Sequence, residues 1–478
     1  MPNIRALCLT YLNEITFLFN NANRSLGTLA DDDSEFKSLS WRVSLIGDEQ
    51  EAVMHLLATG TSSFFAARLM QGFGELGVTV TAADSSRWSG TKSLPNVTRR
   101  LHVPSPNREP ERYLDLIEEE LNRHDYDLLL PTFEEGLLFA QHADVLRRRV
   151  NLLLPPFETM WQLHHKPSLH QFCTRLSLPS PNTSTPQTYD ELKPLLDKLR
   201  YPVVLKPPAG NNSVGRVFCE TTEDLVREFQ QHAATSSSVL TEPPMVQEKI
   251  IGQPIYTLML CDSGRKVAEV IYRPLRTFPD DGGTSVIRES IAHPDIAEIT
   301  ETIARETSWT GFLGFDFLVD EVTKTPYLID ANPRPNPAVQ LGFCSGINWA
   351  SLLAEMAQGN RPMRVMPQLG VRVRSALMDW AWLLDGVKPG RNWIAKSRRR
   401  LREFFSPPWS LDARGDISMG FGRRQCMTAT VINGILSSIL AAATGKSLGE
   451  TMVEDLCYEV RPLNRSGLAV HAADRKAA

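Results

Sequence analysis

The chain has 478 residues, of which 51 are Lys or Arg and 55 are Asp or Glu, so its formal charge is −4 with histidine neutral. A charge this close to balance argues against nucleic acid as a partner, because nucleic-acid binding usually requires an extended basic face. With 42% hydrophobic and 22% charged residues, the composition is that of a folded globular protein, since disordered chains lack the apolar surface that offsets conformational entropy. Seven cysteines without a CxxC pair argue against a disulfide framework or a structural zinc site, so we expect a cytoplasmic protein.

Residues 1–45 lack the charged start, apolar run and cleavage site of a secretory signal, so we expect no export. This stretch is interpreted as an N-terminal arm with an acidic patch at residues 31–33. The longest uncharged stretch, residues 425–445, is interrupted by Thr, Asn and Ser, which favours a buried helix over a membrane span. No transmembrane segment is therefore expected.

Residues 46–155 alternate strand and helix patterns, as in a parallel sheet with crossover helices. Apolar periodicity predicts strands at 53–59, 78–83, 126–130 and 152–154, with helices at 64–76 and 112–124. Gly60 follows the first strand, but a dinucleotide-binding loop needs several glycines, so nicotinamide binding is disfavoured. The turn at 60–63 is explained at least as well by packing of the next helix on the sheet.

Three acidic residues, Asp84, Glu134 and Glu135, stand at predicted strand ends of this domain. Open parallel sheets bind ligands at the carboxyl ends of their strands, so these side chains are candidates for a ligand site. Charged residues at strand ends are also ordinary features of solvated turns. We favour the second interpretation.

A helix is predicted over residues 160–177, with His164, His165 and Lys166 near its start. Zinc-binding helices carry histidines at positions i and i+4, whereas neighbouring histidines point in different directions. The two histidines are therefore expected on the surface, without a metal.

Residues 201–207, YPVVLKP, form a predicted strand that carries Lys206 and leads into a loop of small residues at 209–215. Glycines and small polar side chains let backbone N–H groups approach an anion, and the lysine adds a point charge for phosphate oxygens. The spacing is not that of a Walker P-loop. An ordinary glycine-containing hairpin is the competing interpretation.

Residues 245–252, MVQEKIIG, form a strand-like segment in which Gln247 and Glu248 stand beside Ile250 and Ile251. Polar atoms next to apolar surface suit the edge of a purine ring. The segment is therefore a candidate base-binding site.

Two antiparallel strands are predicted next, at 256–261 and 266–272, around a turn of Asp, Ser and Gly. Arg273, Arg276 and Arg288 lie around the following glycine-rich turn. These arginines could hold an acidic substrate, although solvated arginines at strand ends are the favoured alternative.

The block 311–335, GFLGFDFLVDEVTKTPYLIDANPRP, contains two predicted strands with oxygen ligands. Asp316 lies in the first strand, whereas Asp330 and Asn332 alternate at the end of the second, so the latter two side chains point to one face. Carboxylates and a carboxamide suit a hard cation such as Mg2+, which is usually shared with substrate phosphates. Arg334 is expected to face the same place. Strand-edge acids satisfied by capping are the minority alternative.

The order of these segments resembles the ATP-grasp superfamily, the carboxylate-amine ligases and their relatives. The similarity covers about residues 53–342, and its segments in order are LHHKPSLHQFCTRLSLPSPNT, YPVVLKPPAGNNSVG, VQEKIIG, GFDFLVDE and YLIDANPRP. The resemblance implies an α/β protein with an ATP-grasp fold, preceded by a Rossmann-like parallel-sheet pre-ATP-grasp domain and followed by a helical C-terminal extension. The expected boundaries are 1–45 for the arm, 46–155 for the pre-ATP-grasp domain, 156–345 for the ATP-grasp domain with a lid subdomain at about 183–250, and 346–478 for the extension.

The resemblance also implies a role for each residue of the site. Lys166 and Lys206 would bind phosphates of ATP. Mg2+, with Mn2+ as an alternative, would be held by Asp316, Asp330 and Asn332. The loop that closes over the phosphates would contribute Asn211, Asn212, Ser213 and Gly215. The segment that contacts adenine would contribute Gln247, Glu248, Lys249 and Ile250.

The implied chemistry is phosphoryl transfer, in which positioning and charge neutralisation do most of the catalysis. The carboxylate of a small-molecule acid would attack the γ-phosphate to give an acyl phosphate and ADP. An amine would then displace phosphate and form a carbon–nitrogen bond. Arg334 and Lys206 are the expected catalytic residues, with Arg334 steadying the acyl phosphate.

Two positions depart from the usual pattern of the family. Relatives commonly carry a glutamate that contacts ribose two residues after the glycine of the adenine segment, whereas Gly252 is followed here by Gln253 and Pro254. Relatives also more often have Glu at the position of Asp330, and the shorter side chain would draw the metal nearer the strand. Metal binding is nevertheless expected.

Two alternatives stay open. The segments ATGTSSFFAARLMQGFGELGVTVTAADSS and YDLLLPTFEEG are similar to a subgroup that includes mycosporine-glycine synthetases, which act on an enol-like acceptor. Phosphorylation of an enolate, followed by displacement by an amino acid, is therefore the alternative chemistry. A catalytically inactive grasp fold that only binds nucleotide or protein partners is the other, but intact Lys206, Asp316 and Asp330 favour the enzyme.

The C-terminal extension is predicted to contain helices at 349–357, 375–384 and 430–443. Residues 396–402, KSRRRLR, are basic, and aromatic residues lie nearby at Trp393, Phe404, Phe405 and Trp409. Such a stretch can make peripheral contact with an anionic membrane or a partner, but a solvated helix face with core aromatics is favoured. Assembly as a homo-oligomer stays open.

Overall fold

The computed structural model describes a large part of the chain. The described residues are 54–63, 65–86, 89–210, 215–235, 242–278, 284–375, 378–379, 382–383, 393–405, 413–416, 451 and 454–460. The chain divides by its internal contacts at residue 52, and all of the described residues belong to the second unit. The predicted N-terminal arm therefore lies outside them.

Within these ranges, a first sheet contains four parallel strands in the order β3-β2-β1-β4. The strands are β1 (His55–Thr59), β2 (Thr79–Asp84), β3 (Val97–His102) and β4 (Leu128–Pro131). The strands expected at 53–59, 78–83 and 126–130 are confirmed. Strand β3 is not among the predicted strands, because its sequence VTRRLH is mostly polar and exposed at the sheet edge.

The strand predicted at 152–154 is wrong. Among the described residues, this part of the chain pairs with the sheet through a bridge between Leu128 and Asn151. Pro155 and Pro156 follow, and neither has a backbone N–H group to donate to a ladder. The chain therefore leaves the sheet at this point.

Two helices cross over between strands of this sheet, and two more follow its last strand in the chain. The crossover helices are α1 (Ala66–Glu75) and α2 (Pro110–Arg123), and those after β4 are α3 (Glu135–Gln141) and α4 (Ala143–Leu146). The first two agree with the helices predicted at 64–76 and 112–124. Helix α1 buries Leu69, Met70 and Phe73, which share one helical face and pack it on the sheet.

The helix predicted at 160–177 is broken into two helices. They are α5 (Phe157–His164) and α6 (Lys166–Arg175). His165 between them is extended, with φ −79° and ψ 109°, because Pro167 favours the first turn of a new helix and disfavours a continuous one. The expectation that His164 and His165 lie on the surface is also wrong, since both are buried.

The second sheet is antiparallel and, over the described residues, has four strands in the order β5-β8-β6-β7. They are β5 (Thr183–Ser184), β6 (Val203–Lys206), β7 (Val217–Cys219) and β8 (Met245–Glu248). Two helices accompany the sheet, α7 (Tyr189–Leu192) and α8 (Thr222–Thr235). Leu205 and Val246 pack with Phe229 of α8 in a separate small core.

The third sheet has seven strands within the described part of the chain, in the order β13-β12-β9-β10-β11-β14-β15. The strands are β9 (Gly252–Asp262), β10 (Arg265–Phe278), β11 (Thr284–Ser290), β12 (Gly311–Asp320), β13 (Pro326–Asn332), β14 (Arg372–Arg374) and β15 (Ala413–Asp416). Neighbours are antiparallel except for the parallel pair β14 and β15. The antiparallel pair predicted at 256–261 and 266–272 is confirmed.

Both faces of the third sheet are covered by hydrophobic cores. Leu258 belongs to a cluster with Phe73 of α1, whereas its neighbour Met259 belongs to a cluster with Tyr113 of α2. Consecutive residues of a strand point to opposite faces, so the sheet lies between two packed layers. Asp316 lies four residues after Phe312 on β12, so its side chain projects to the same face of the sheet as Phe312, which belongs to the first cluster.

The remaining helices are α9 (Pro294–Glu306), α10 (Val339–Cys344), α11 (Trp349–Ala357) and α12 (Trp393–Phe405). Helix α11 confirms the prediction at 349–357, whereas the helix predicted at 430–443 lies outside the described residues. In α12, Arg398 and Arg399 are exposed but Arg400 is buried over the Trp382 ring, 4.7 Å from its centroid. Among the described residues, no helix is long and apolar enough to cross a membrane.

Candidate active site

The candidate metal ligands lie on two neighbouring strands of the third sheet. Asp316 of β12 is the register partner of Asp330 of β13, and Gly314 is the partner of Asn332. Asn332 Nδ2 lies 3.5 Å from Asp316 Oδ1. Because register partners project to the same face, the two carboxylates and the carboxamide form one cluster. This grouping confirms the predicted juxtaposition, while the role of each ligand stays a prediction.

The electrostatics of this cluster suit a cation. Burial, followed by the neighbouring Asp330, raises the pKa of Asp316 well above its usual range. Two carboxylates on one face resist ionising together unless a positive charge lies between them. Within the described residues no three His, Cys, Asp or Glu side chains converge, so protein carboxylates alone do not enclose an ion. The donor set fits Mg2+ shared with phosphates.

Lys166 and Lys206 approach the cluster from two other elements. Lys166 begins α6, and its Nζ lies 3.3 Å from Asp330 Oδ1 while it donates to Gly210 O at 2.8 Å. Lys206 ends β6, and its Nζ donates to Gln247 Oε1 at 2.7 Å. Burial lowers the pKa of Lys206 to about 8, against the opposing effect of Asp330. Both lysines therefore lie where they were predicted, near the acidic strands.

Arg334 connects the third sheet to the first. Its Nη2 donates to Asn332 Oδ1 at 3.3 Å, and its Nε lies 3.8 Å from Glu134 Oε1. The guanidinium also lies over the Phe133 ring, 4.2 Å from the centroid. Arg334 is buried, so its charge acts in a medium of low dielectric constant.

The candidate adenine segment joins the second sheet to the third. Residues 249–251 connect the end of β8 to the start of β9. Gln247 is buried and holds Lys206, while its Nε2 donates to Thr183 Oγ1 at 2.9 Å. Glu248 accepts a hydrogen bond from Asn182 Nδ2 at 2.8 Å. The side chain of Gln247 therefore orients a lysine, which the sequence did not predict.

The other two residues of the segment differ in their contacts. Lys249 Nζ lies 3.8 Å from Glu220 and over the Phe218 ring. Ile250 is half-buried at the junction of the two sheets. A flat ring at this junction would contact backbone and apolar side chains, so the adenine assignment stays a prediction.

The predicted phosphate loop is described only at its edges. Asn211, Asn212 and Ser213 lie outside the described residues. Gly215 has φ +72°, and a Cβ there would lie 2.7 Å from Pro207 Cγ, so only glycine fits this position without displacement. Gly215 therefore lies close to Pro207, just after the end of β6.

The acidic residues at the ends of the first sheet are buried, so their interpretation as solvated turns is wrong. Asp84 accepts hydrogen bonds from the backbone N–H groups of Ser62 and Ser86, and burial raises its pKa. Glu135 accepts a hydrogen bond from Thr59 Oγ1, and burial raises its pKa to about 7. Through these hydrogen bonds to Ser62 and Thr59, the two carboxylates stabilise the turn at residues 60–63.

Glu134 and His164 also lie beside the site. The sequence offered Glu134 as a candidate at a strand end but favoured a solvated turn, and it predicted His164 on the surface. Glu134 faces Arg334, as described above. Burial lowers the pKa of His164, although Glu134 acts in the opposite direction. Strand-end position was the available signal for Glu134, but its contact with Arg334 joins residues 200 positions apart, which a local pattern does not reveal.

The three arginines around the glycine-rich turn have different environments. Arg273 pairs with Glu289 at 2.7 Å on one face of the sheet and is half-exposed. Arg276 is buried and pairs with Asp379. Arg288 is 1% exposed. The expectation of solvated side chains is therefore wrong for Arg276 and Arg288.

Comparison with known proteins identifies a family for part of the chain. A family model of the ATP-grasp domain matches residues 166–337, a range that includes Lys166, Lys206, Asp316, Asp330, Asn332 and Arg334. The large chain of carbamoyl phosphate synthase from Pyrococcus furiosus is 24% identical over 294 residues, which is 58% of this chain and 27% of that protein. The match thus spans about a quarter of the length of this relative.

Solved structures show the same fold. Biotin carboxylase from Campylobacter jejuni, in a β,γ-ATP complex, has a TM-score of 0.57 at 19% identity over 66% of this chain and 74% of that one. L-amino acid ligase from Bacillus licheniformis has a TM-score of 0.52 at 18% identity, over 65% of this chain and 75% of that one. Residues 166–337 therefore match an ATP-grasp domain, and the chain shares the α/β fold of these solved structures.

Proposed function

We propose that the protein is an ATP-dependent ligase that phosphorylates a carboxylate substrate and joins the resulting acyl phosphate to an amine, with release of ADP and phosphate. The observation that carries this proposal is the convergence of Lys166, Lys206, Asp316, Asp330 and Arg334 from four separate elements and the loop that follows β13. Structural packing alone does not require two lysines and an arginine beside paired carboxylates. ATP-grasp relatives of known activity support the same reading.

In this proposal, the positively charged residues bind phosphates and the acidic residues bind the metal. Lys166 and Lys206 would bind the phosphates of ATP, and the 249–251 segment would contact the base. Mg2+, held by Asp316, Asp330 and Asn332, would neutralise charge on the transferred phosphoryl group. Mn2+ would bind the same oxygen ligands. These contacts would place the γ-phosphate in line with an acceptor and would stabilise charge that develops during transfer.

Arg334 would act on the acceptor side of the site. Its guanidinium lies between Asn332 and Glu134, so it can bind the acceptor carboxylate and then the acyl phosphate oxygens. Burial excludes water that would hydrolyse the acyl phosphate. The amine would then attack the carbonyl carbon, and phosphate would leave.

Trapping with hydroxylamine tests the proposal. Purified protein is incubated with Mg-ATP and pools of carboxylic acids, and ADP and hydroxamate are measured together. An acyl phosphate gives a hydroxamate, whereas a phosphorylated enol gives ADP without one. The expected result is acid-dependent ADP with matching hydroxamate, at least a hundredfold lower in Asp330→Asn. Asp190→Asn, which removes a carboxylate with a 90% exposed side chain, is the matched control.

ADP without hydroxamate would favour the enol-like acceptor. Nucleotide binding without ADP release for any pool would favour an inactive grasp fold. Wild-type ADP release in Asp330→Asn would contradict the metal assignment.

A further inference from the structure

Arg288 of β11 is a buried cation without a counter-charge. It is 1% exposed, and its Nη2 donates to the carbonyl oxygen of Ser285. Its Nε and Nη1 have no hydrogen-bond partner, and among the described residues no carboxylate lies within 4.0 Å of it. An uncompensated buried charge is strongly destabilising, so a buried guanidinium with free donors is suited to binding an anion.

The neighbouring arginines, Arg273 and Arg276, have counter-charges, in contrast to Arg288. Arg273 pairs with Glu289, and Arg276 pairs with Asp379. Both therefore have the carboxylate partner that a structural arginine is expected to have. Arg288 differs from them in its surroundings, since its guanidinium lies 5.6 Å from the centroid of the Tyr272 ring.

Arg288 lies on the same sheet face as the candidate metal ligands. Register pairs run across the third sheet from Asp316 to Tyr256, from Tyr256 to Tyr272, and from Tyr272 to Ser290. Register partners project to one face, and Arg288 precedes Ser290 by two residues, so it shares that face. The row thus leads from the metal cluster to Arg288.

Tyr256 and Tyr272 lie on the two strands between the metal cluster and Arg288. The ring centroids of Tyr256 and Tyr272 lie 5.5 Å apart. Strands β12 and β11 are separated by three strand spacings, about 14 Å in total. The Arg288 guanidinium lies 5.6 Å from the centroid of the Tyr272 ring, and the strand that carries Tyr272 lies two spacings, about 10 Å, from the strand of Asp316. A small acceptor molecule spans this distance.

We propose that Arg288 binds a second anionic group of the acceptor acid, at the end of the molecule away from the carboxylate that is activated. This inference rests on the proposed ligase function. The substrate class is then a small molecule with two anionic groups, a dicarboxylate or a phosphorylated acid, that lies over Tyr256 and Tyr272. Both kinds of anion make the paired hydrogen bonds that the free Nε and Nη1 donors of Arg288 offer.

The test uses malonate and inorganic phosphate as probes on the full-length protein. Melting temperatures are measured with saturating Mg2+ and a non-hydrolysable ATP analogue, which occupy the lysine sites, and with sodium chloride to match ionic strength. Wild type is expected to gain a saturable rise in melting temperature from at least one probe. Malonate alone would indicate a dicarboxylate, and phosphate alone a phosphorylated acid.

Arg288→Met provides the decisive comparison, because methionine is similar in length and carries no charge. The variant is expected to weaken anion binding at least tenfold, to bind the nucleotide analogue like wild type, and to be no less stable than wild type without ligand. Arg288→Lys should retain part of the anion response. Arg305→Met, which replaces an arginine with a 64% exposed side chain, is the matched control.

Three results would overturn the inference: no saturable response in wild type, an unchanged response in Arg288→Met, or a ligand-free Arg288→Met that is unfolded or less stable. Failure of the ligase proposal is distinguishable, since it would appear as absent acid-dependent ADP release, which is measured separately from the melting temperatures. If the nucleotide does not bind, the difference in anion response between wild type and Arg288→Met still reports on Arg288, because both proteins carry the same lysines.

Discussion

Lys206 Nζ donates a 2.7 Å hydrogen bond to Gln247 Oε1, and this contact joins the candidate phosphate-binding strand to the candidate adenine segment. Both side chains are buried. Gln247 is held in turn by donating to Thr183 Oγ1, so the lysine is oriented before any nucleotide arrives. The ammonium is positioned by a neutral acceptor, which leaves its charge available for phosphate.

Nucleotide affinity is expected to decrease above pH 8. Burial lowers the pKa of Lys206 to about 8, so the ammonium loses its proton as the pH rises through that value. A neutral amine no longer attracts phosphate, and affinity should fall up to about tenfold per pH unit above the pKa. Calorimetric titration of a non-hydrolysable ATP analogue with Mg2+ between pH 7 and 9.5 measures this dependence. Lys206→Arg should show none, and equal profiles for the two proteins would contradict the prediction.

Gln247→Leu is expected to shift that pH profile to lower values. Leucine removes the acceptor of the Lys206 ammonium and leaves the charged form buried with fewer partners, which favours the neutral amine. The midpoint of the affinity profile should therefore fall below 8. Gln187→Leu, at an exposed position, is the control. An unchanged midpoint would mean that Gln247 does not stabilise the ammonium.

Folding stability is expected to decrease between about pH 4.5 and 7 because of Glu135. Burial raises the pKa of this carboxyl from its ordinary 4.5 to about 7, so the native state retains a proton that the unfolded chain has lost. Stability is therefore lost as the pH rises through this window, by up to about 3 kcal/mol. Glu135→Gln should reduce the dependence, leaving the part that Asp84 and Asp316 contribute, whereas Asp125→Asn, at an exposed site, should retain all of it. Urea unfolding at several pH values gives the result, and a flat wild-type curve would refute it.

Gly60→Ala is expected to be more destabilising than Gly77→Ala. Both glycines have positive φ, +62° and +78°, so alanine costs about 1 kcal/mol of backbone strain at each. A Cβ at Gly60 would also lie 2.6 Å from Glu135 Oε1, whereas none of the surrounding atoms lies within 4 Å of a Cβ at Gly77. The Gly60 variant should lose about 1–3 kcal/mol more in urea unfolding. Equal losses would show that Glu135 moves aside freely.

The fold was predictable where the sequence pattern is local. Strands β9, β10 and β12 contain apolar runs, and Asp330, Asn332 and Arg334 are so close in sequence that β13 and the residues after it bring them together. Strand β3 was not predictable by the same reasoning, because its exposed residues carry no hydrophobic period.

The electrostatic environment of the site was less predictable. A sequence does not show whether a charged residue is buried, and burial here comes from contacts between distant segments. Glu134 meets Arg334 across two sheets, and Arg288 leans on Tyr272 of the next strand. The break at His165 depends on Pro167 and on packing of a new helix start, where Lys166 N donates to Pro208 O.

Nucleotide binding in the absence of an acceptor tests the central claim most directly. A non-hydrolysable ATP analogue is titrated calorimetrically into wild type and Asp330→Asn, with and without Mg2+. Saturable binding that requires Mg2+ in wild type and is at least tenfold weaker in Asp330→Asn is the predicted result. Absence of binding under both conditions, or equal Mg2+ dependence in the two proteins, would contradict the assignment of Asp330 and its neighbours to a magnesium–nucleotide site.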